Sequence, residues 1–556
     1  MLYFSGTADD SNLDPYWLII CKTSVTPTPN VSAAPDCDGG AGNQWAVSSQ
    51  TASGVEATAA TTTTETGQFV NESNDWYGFV CDGNITLPKC NPLATNYDAT
   101  DSPHSGVGTG HPDSASPFVI NHPPAFLTYL NDSPKDPGQS VTWTTTATDT
   151  DRIRGGDTLT LHVCRQASFA TSSGCTGTGA WATSTGVLAS GATPTIDVAT
   201  SAPITIPYRD GVYSAFLYLM DQGSLAATST NQGANSSITV SNVAPTIDAS
   251  LISVGTTTDI YLFRPQSTSG PYTVTFTVTD NNSCRNITDG NEISSATTTI
   301  YRSGVTRNLC QTTSDFNTNQ CYPSIDSRSY ISCTQTGSCL STSATVTWTC
   351  TFELWYNADA TDVGSFYAAQ DWLAAVQAID DDFATSTQVE AQTGNDLASF
   401  LAFDVTESSI AYGGLQPGDQ IDPLSTATST DLLALGNVGL DENLYGDTMC
   451  PNWLNSPDYC DHAWGATGLA AGTSTILASF QKFATSTVSY ANATALTSSS
   501  SPTLFEIHVL KTTVTSSPET KDTLWAIQVP ITITRAGDYS GVNSIIATKS
   551  NSLYWQ

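Results

Sequence analysis

Hydrophobic and polar residues alternate with a period of two along most of the chain, in short runs bounded by Gly, Asn, Asp and Pro. Leu159 to Cys164 reads LTLHVC, and Val274 to Asp280 reads VTFTVTD. A period of two puts successive side chains on opposite faces of a strand, as in a half-buried sheet. Short alternating runs with turn residues between them are typical of antiparallel β-sandwiches. The pattern therefore predicts an all-β fold of tandem sandwich domains.

One apolar run is compatible with either a helix or a strand. It is the alanine-rich segment WLAAVQAID, from Trp372 to Asp380. We predict a strand, because the segment aligns with YSAFLYLMD, from Tyr213 to Asp221, and both precede a turn that leads to ATST.

A short hinge with proline occurs twice, each time after a short extended run. Proline cannot donate to a ladder and biases the preceding residue towards extended geometry, so we predict a stiff joint between β-domains at each copy. The hinges read NHPP and NVAP, and the predicted joint residues are Asn121, Pro123 and Pro124 in the first copy and Asn242 and Pro245 in the second.

The two hinges and a change of sequence pattern near residue 388 divide the chain into four predicted domains: residues 1–122, 123–243, 244–387 and 388–556. The first two are similar: each has an acidic loop, a strand that ends on cysteine (Cys21; Cys164), a partner cysteine and a tryptophan. In this alignment, a later strand at residues 75–80 of the first domain corresponds to residues 211–216 of the second. The third domain carries a cysteine-rich insertion, and the fourth is a sandwich of another type.

The first domain begins almost at its acidic loop, so the alignment predicts that its first strand or strands are missing. A sandwich without an edge strand exposes backbone donors and acceptors. Two explanations stay open: the chain is a piece of a longer array, or a neighbouring molecule supplies the strand.

The cysteines indicate disulfides formed in an oxidising, extracytoplasmic place, because they fall in local pairs and no CxxC occurs. We predict extracellular or cell-surface localisation. Six of them lie in the insertion and allow 15 pairings; Cys333 with Cys339 is the working hypothesis. The four predicted local pairs are Cys21/Cys37, Cys81/Cys90, Cys164/Cys175 and Cys450/Cys460, and the insertion holds Cys284, Cys310, Cys321, Cys333, Cys339 and Cys350.

The charge balance is strongly acidic, with 51 acids, 17 bases and a net charge of -34. Nucleic-acid binding needs a basic surface, so this class of partner is excluded. Calcium, which is bound by carboxylate and carbonyl oxygens, is the cofactor that the acidic loops could hold. The other interpretation is that Asp and Asn build turns on a solvated surface. The candidate calcium ligands are Asp149, Asp151, Asp157, Asp280 and Asn282; the loops with Asp9, Asp10 and Asp14 and with Asp380, Asp381 and Asp382 are further candidates.

Catalysis and membrane insertion have little support in the sequence. The six histidines are scattered, and no HExxH, GxSxG or Walker A motif occurs. No apolar run reaches 18 residues, so we predict no membrane-spanning segment. We therefore predict that the protein is not an enzyme.

The N-x-[AP]-P hinges, the strand ends TATD and TVTD and the paired-cysteine loops carry a resemblance over the first three domains. These domains resemble the Ig-like repeats, of the PKD and cadherin-like type, of large bacterial cell-surface proteins. The fourth looks like the sandwich that often ends such proteins. The resemblance implies tandem Ig-like sandwiches in an elongated rod with a scaffold role, and calcium near the joints.

We therefore expect a structural subunit of a secreted surface assembly, a filament or a surface layer. It would associate with itself, with a strand passed between subunits. The alternative is the stalk of a surface adhesin that binds a glycan or a protein, with the segment from Cys310 to Cys350 as its binding surface.

Overall fold

The computed structural model describes residues 2–61, 72–92, 116–151, 158–185, 187–188, 197–255, 259–283, 291–337, 344–423, 428–451, 475–498, 501–534 and 536–556. These ranges hold β-strands and short 3-10 turns, and they contain no α-helix. The predicted all-β fold is confirmed, including the strand Trp372–Asp380. No helix in the described ranges is long and apolar enough to cross a membrane.

The chain divides into two compact units, residues 1–241 and 242–556. The division falls at the second predicted hinge. We describe each unit by itself and call the four predicted domains the first to fourth modules.

The first module places its core between two antiparallel sheets. One sheet pairs β1 with β4, and the other has the order β3-β2-β5. Phe4 packs edge-to-face on Trp76, and Trp45 on Phe118, so aromatic rings close the core. The strands are β1 (Leu2–Thr7), β2 (Tyr16–Cys21), β3 (Gln44–Val47), β4 (Glu56–Thr61) and β5 (Tyr77–Asp82).

The second module repeats this plan with one more strand in the first sheet. That sheet has the order β10-β7-β6, and the other contains β9, β8 and β12. β8 alternates buried and partly buried residues as the period of two predicts. The strands are β6 (Ala125–Asn131), β7 (Trp143–Thr148), β8 (Thr158–Cys164), β9 (Ala180–Thr183), β10 (Asp197–Thr200), β11 (Gly211–Tyr213), β12 (Phe216–Met220) and β13 (Ile238–Val240).

The register of the strands corrects the sequence alignment of the first two modules. Tyr77 lies opposite Cys21, and Phe216 lies opposite Cys164. Tyr77 therefore corresponds to Phe216, whereas the sequence alignment paired it with Tyr213. The error arises because both modules carry a Tyr just after a Gly or Asp turn, so the local pattern fits two registers.

The third module has two long strand pairs. β14 pairs with β17, and β15 pairs with β18. Val389–Glu390 pairs with β18, and Leu397 is fully buried in the same core, so this module extends past the predicted boundary at residue 387. The strands are β14 (Thr268–Thr279), β15 (Ile293–Arg302), β16 (Ser332–Gln335), β17 (Thr345–Trp355) and β18 (Trp372–Asp380).

The fourth module is also built from two antiparallel sheets, one with the order β19-β20-β24-β22 and one with the order β23-β21-β25. Trp525 is fully buried beside Phe483 in its core. The strands are β19 (Phe403–Val405), β20 (Ser429–Ala434), β21 (Leu440–Gly446), β22 (Gln481–Ala484), β23 (Thr503–Val509), β24 (Thr520–Gln528) and β25 (Asn543–Lys549).

Candidate functional site

The first hinge is held by its asparagine. Asn121 Nδ2 donates to Asp221 Oδ2 at 2.8 Å. Asp221 directly follows β12 and is 1% exposed. Its other oxygen, Oδ1, accepts the Leu225 N–H at 2.8 Å, which orders the turn after the strand. The carboxylate therefore bonds its own loop with one oxygen and the hinge with the other.

The residue after the asparagine is held by the acidic loop. The His122 N–H donates to the Asp151 carboxylate, and His122 Nδ1 lies 2.7 Å from Asp151 Oδ1. The Asp151 N–H in turn donates to Asp149 Oδ1 at 3.0 Å. Both aspartates are buried, so a short acidic loop receives the hinge backbone.

The second hinge repeats the arrangement at equivalent positions. Asn242 Nδ2 donates to Asp380 Oδ2 at 3.0 Å, and the Ala384 N–H donates to Asp380 Oδ1 at 2.7 Å. The Val243 N–H donates to Asn282 Oδ1 at 2.8 Å. Each hinge asparagine thus bonds the aspartate that ends the strand of the next module, and the next residue bonds the loop.

We call each set of three acceptors a socket. The socket of the second module is Asp149, Asp151 and Asp221; that of the third is Asp280, Asn282 and Asp380. In both, the first residue accepts the N–H of the second, at 2.8 Å in the third module. Pro123, Pro124 and Pro245 follow the asparagines and fix the chain direction.

The sockets include four of the five predicted calcium ligands, and Asp157 lies outside the described residues. Several of their oxygens accept N–H groups from the hinge and from the loops. Within the described ranges, no group of three or more His, Cys, Asp or Glu could hold a metal ion. Calcium binding at the sockets therefore stays a prediction.

The third and fourth modules meet through a buried cation. Lys511 is fully buried, and its Nζ donates to the Asp359 carboxylate and, at 3.1 Å, to the Asn357 carbonyl. Arg302 Nε donates to the other Asp359 oxygen at 2.9 Å. Burial lowers the pKa of Lys511, and the Asp359 carboxylate opposes this effect. A buried charge is tolerated when it is paired and fully hydrogen-bonded, as it is here.

Sequence reasoning missed this network, which is joined by two further contacts. Asn319 Nδ2 donates to the Thr513 carbonyl at 2.9 Å, and the Tyr356 hydroxyl donates to the Thr515 carbonyl at 3.2 Å. Lys511 lies 152 residues from Asp359 in the chain, and no spacing could pair them. The one available signal was a lysine at the end of an apolar strand in a lysine-poor chain.

The disulfides confirm three of the four predicted local pairs: Cys21–Cys37, Cys81–Cys90 and Cys164–Cys175. Cys450 is disulfide-bonded, and its predicted partner Cys460 lies outside the described residues.

The insertion contains two described disulfides. Cys310 bonds Cys321, and Cys333 bonds Cys350. The working hypothesis of Cys333 with Cys339 is wrong, because Cys333 lies directly opposite Cys350 in the pairing of β16 with β17. Cys284 and Cys339 lie outside the described residues.

The fourth module has a cleft of about 590 Å³ between residues 410–417 and 536–539. Tyr412, Met449 and Val529 line it, and Asp538 is the only carboxylate among its described lining residues. A glycosidase would need two carboxylates there. The cleft gives no support to catalysis, and the absence of enzymatic activity stays a prediction.

No protein-family model matches the chain, and no curated protein matches it. Among solved structures, a marsupial T cell receptor is similar at 10% identity, over 76% of this chain and 99% of that one, with a TM-score of 0.19. The collagen adhesin from S. aureus is similar at 9% identity, over 48% of this chain and 90% of that one, with a TM-score of 0.09. Likenesses this weak carry no functional argument, and the assignment to PKD or cadherin-like repeats stays a prediction.

Proposed function

We propose that the protein is a non-enzymatic structural subunit of a secreted surface assembly, a filament or a surface layer. The observation that carries this proposal is the repeated joint, in which Asn121 and Asn242 each bond the strand-end aspartate of the module that follows. A side chain at each module boundary is thus used to connect modules. Five described disulfides close loops within the modules and are compatible with an extracellular location.

The first module supports assembly by strand complementation. In the second module, β7 pairs with β10 on one edge and β6 on the other. The corresponding strand β1 pairs with β4, and no other described strand pairs with it. Tyr3 on β1 is 58% exposed. An open strand edge is a template for pairing with another chain.

Electron microscopy of the disulfide-intact protein over a concentration series tests the proposal. We expect a regular filament or sheet whose formation depends on protein concentration, because head-to-tail contacts that do not close generate open assemblies. A reduced and alkylated sample is the control. A protein that stays monomeric by light scattering at every concentration would contradict the proposal.

Calcium is a proposed stiffening ligand of the joints. Calorimetric titration of the chelator-treated protein with CaCl₂, with MgCl₂ as the control, tests it. The expected result is saturable heat with calcium alone, and no heat would remove the proposal.

An adhesin stalk is the second candidate, and the insertion of the third module favours it. Leu309, Ile325 and Tyr330 are 67%, 61% and 52% exposed on or beside this disulfide-closed segment. Exposed apolar side chains on a constrained loop suit recognition of a protein or glycan. Binding on a glycan array that is lost in Tyr330→Ser, but not in the exposed-site variant Tyr3→Ser, would favour this function over a purely structural one.

A further inference from the structure

The first module carries a third copy of the socket. Asp10 accepts the Asn12 N–H on Oδ1 at 2.7 Å, as Asp149 accepts from Asp151 and Asp280 from Asn282. The three pairs share the spacing D-x-[DN] and lie directly or shortly after the equivalent strands β1, β7 and β14.

The strand-end aspartate is also present and in register. Asp82 lies five residues beyond Tyr77, which is opposite Cys21, and Asp221 lies five residues beyond Phe216, which is opposite Cys164. Asp82 Oδ1 accepts the Asn84 N–H of its own loop at 3.1 Å, as Asp221 Oδ1 accepts from Leu225. Asp82 therefore has the loop contact of a hinge acceptor.

The difference lies in what the second oxygen bonds. Asp221 Oδ2 and Asp380 Oδ2 each accept a hinge asparagine amide. No described group donates to Asp82 Oδ2, and Asp10 and Asp82 are half-buried where Asp149 and Asp221 are buried. β1, which pairs with β4 and with no other described strand, belongs to the same module. The acceptors for a hinge and a strand edge for the residues that follow the hinge therefore lie in one module.

We infer that this first-module socket binds an extended N-x-[AP]-P segment of a partner polypeptide. The inference rests on the proposed function and names the chemistry of the contact. The partner asparagine amide donates to Asp82 Oδ2, and the next backbone N–H donates to the Asn12 side-chain oxygen. The residues after the proline then pair with β1, as residues 125–131 pair with β7.

The second module shows how long the bound segment should be. Residues 121–131 fill its socket and cover the edge of β7 in one continuous piece. A peptide of residues 118–131 of this chain is therefore a suitable probe, with a fluorophore at its N-terminus. The same peptide with Asn121→Ala keeps the strand sequence and removes the amide.

Fluorescence anisotropy with the full chain tests the inference. Asp82→Asn keeps the Oδ1 acceptor for Asn84 and replaces Oδ2 by an amide, and Asp9→Asn makes the same charge change at an exposed neighbour. We expect saturable binding that Asp82→Asn weakens about 10-fold, equivalent to ~1.4 kcal/mol, with no change in Asp9→Asn. The Asn121→Ala peptide should lose a similar factor against the unaltered chain, which does not depend on how a variant folds.

Absence of binding, or equal binding to all three forms of the chain, would overturn the inference. If the chain polymerises yet binds no peptide, the socket assignment fails and the structural function stands. If the peptide binds but the chain forms no assembly with any copy of itself, the surface-assembly proposal fails and the socket assignment stands.

Discussion

The Asn121 joint and the joint between the third and fourth modules connect sandwiches by different means. At Asn121, four linker residues supply one side-chain amide and one backbone N–H to acceptors at the end of the next module. Between the third and fourth modules, the Lys511 side chain reaches a buried carboxylate that Arg302 also bonds.

The hinge is a joint that can be repeated along a chain, whereas the Lys511 contact is specific to one pair of modules. The hinge needs only Asn at one position and an acidic loop on the neighbour, so it can recur wherever two such modules follow each other. The Lys511 contact needs residues from several separate segments of the third module, and it suits a single pair of partners. Loss of a buried charge partner also costs more than loss of an amide hydrogen bond.

The largest effect should come from Lys511→Met. Removing the ammonium leaves Asp359 with Arg302 alone in a buried place, and we expect the free energy of unfolding of the unit 242–556 to fall by about 3 kcal/mol. Urea unfolding followed by tryptophan fluorescence measures it. Lys89→Met, at an exposed position, should change stability by less than about 0.5 kcal/mol. Equal effects of the two substitutions would mean that Lys511 does not hold the joint.

The stability of the fourth module should depend on pH through its buried residue Glu442. Burial raises the pKa of Glu442 to about 7. The folded state therefore binds more protons than the unfolded state between pH ~4.5 and 7, where the unfolded carboxyl is ionised. The free energy of unfolding should fall by about 2 kcal/mol as pH rises through this window.

Glu442→Gln should flatten that dependence, and Glu56→Gln, at an exposed site, should not. Thermal unfolding at pH 5, 6, 7 and 8 provides the measurement. A stability that rises steadily with pH in the unaltered protein would contradict the role assigned to Glu442.

Loss of either hinge amide should have a moderate and matching effect. Asn121→Ala and Asn242→Ala each remove one hydrogen bond to a buried carboxylate, and each should lower the free energy of unfolding of its unit by about 1.5 kcal/mol. Asn308→Ala serves as the exposed control. A large loss at one hinge and none at the other would show that the two joints are not equivalent.

The smallest effect on stability should follow from replacing one contact pair of the first hinge by the corresponding pair of the second. His122→Val with Asp151→Asn gives the first hinge the residues found at Val243 and Asn282. The backbone N–H keeps a side-chain oxygen to bond, so stability should change by less than about 1 kcal/mol. A loss well above that, measured by urea unfolding, would mean that the His122–Asp151 contact carries the joint.

Sequence patterns predicted the strands and the position of the joints because both depend on local residues. The period of two located β8 and β14, and the alignment of Trp372 to Asp380 with Tyr213 to Asp221 found the two strand ends that bond the hinges. The prolines marked the joints, but the sequence did not show that the asparagines before them are the groups that bond.

The rest depended on contacts between distant residues. The pairing of Cys333 with Cys350 follows from which strands are neighbours, and Lys511 meets Asp359 only after two modules have packed. The acidic loops were predicted as calcium ligands because a carboxylate can either bind calcium or accept a backbone N–H group. Only the structure shows that their oxygens accept backbone N–H groups.

The described disulfides close short stretches, with sequence separations of 9 to 17 residues. If a protease cuts the backbone between two bonded cysteines, the two ends remain tethered through sulfur and the flanking strands keep their neighbours. Nicked molecules would then migrate at full length on a non-reducing gel and separate into fragments only after reduction.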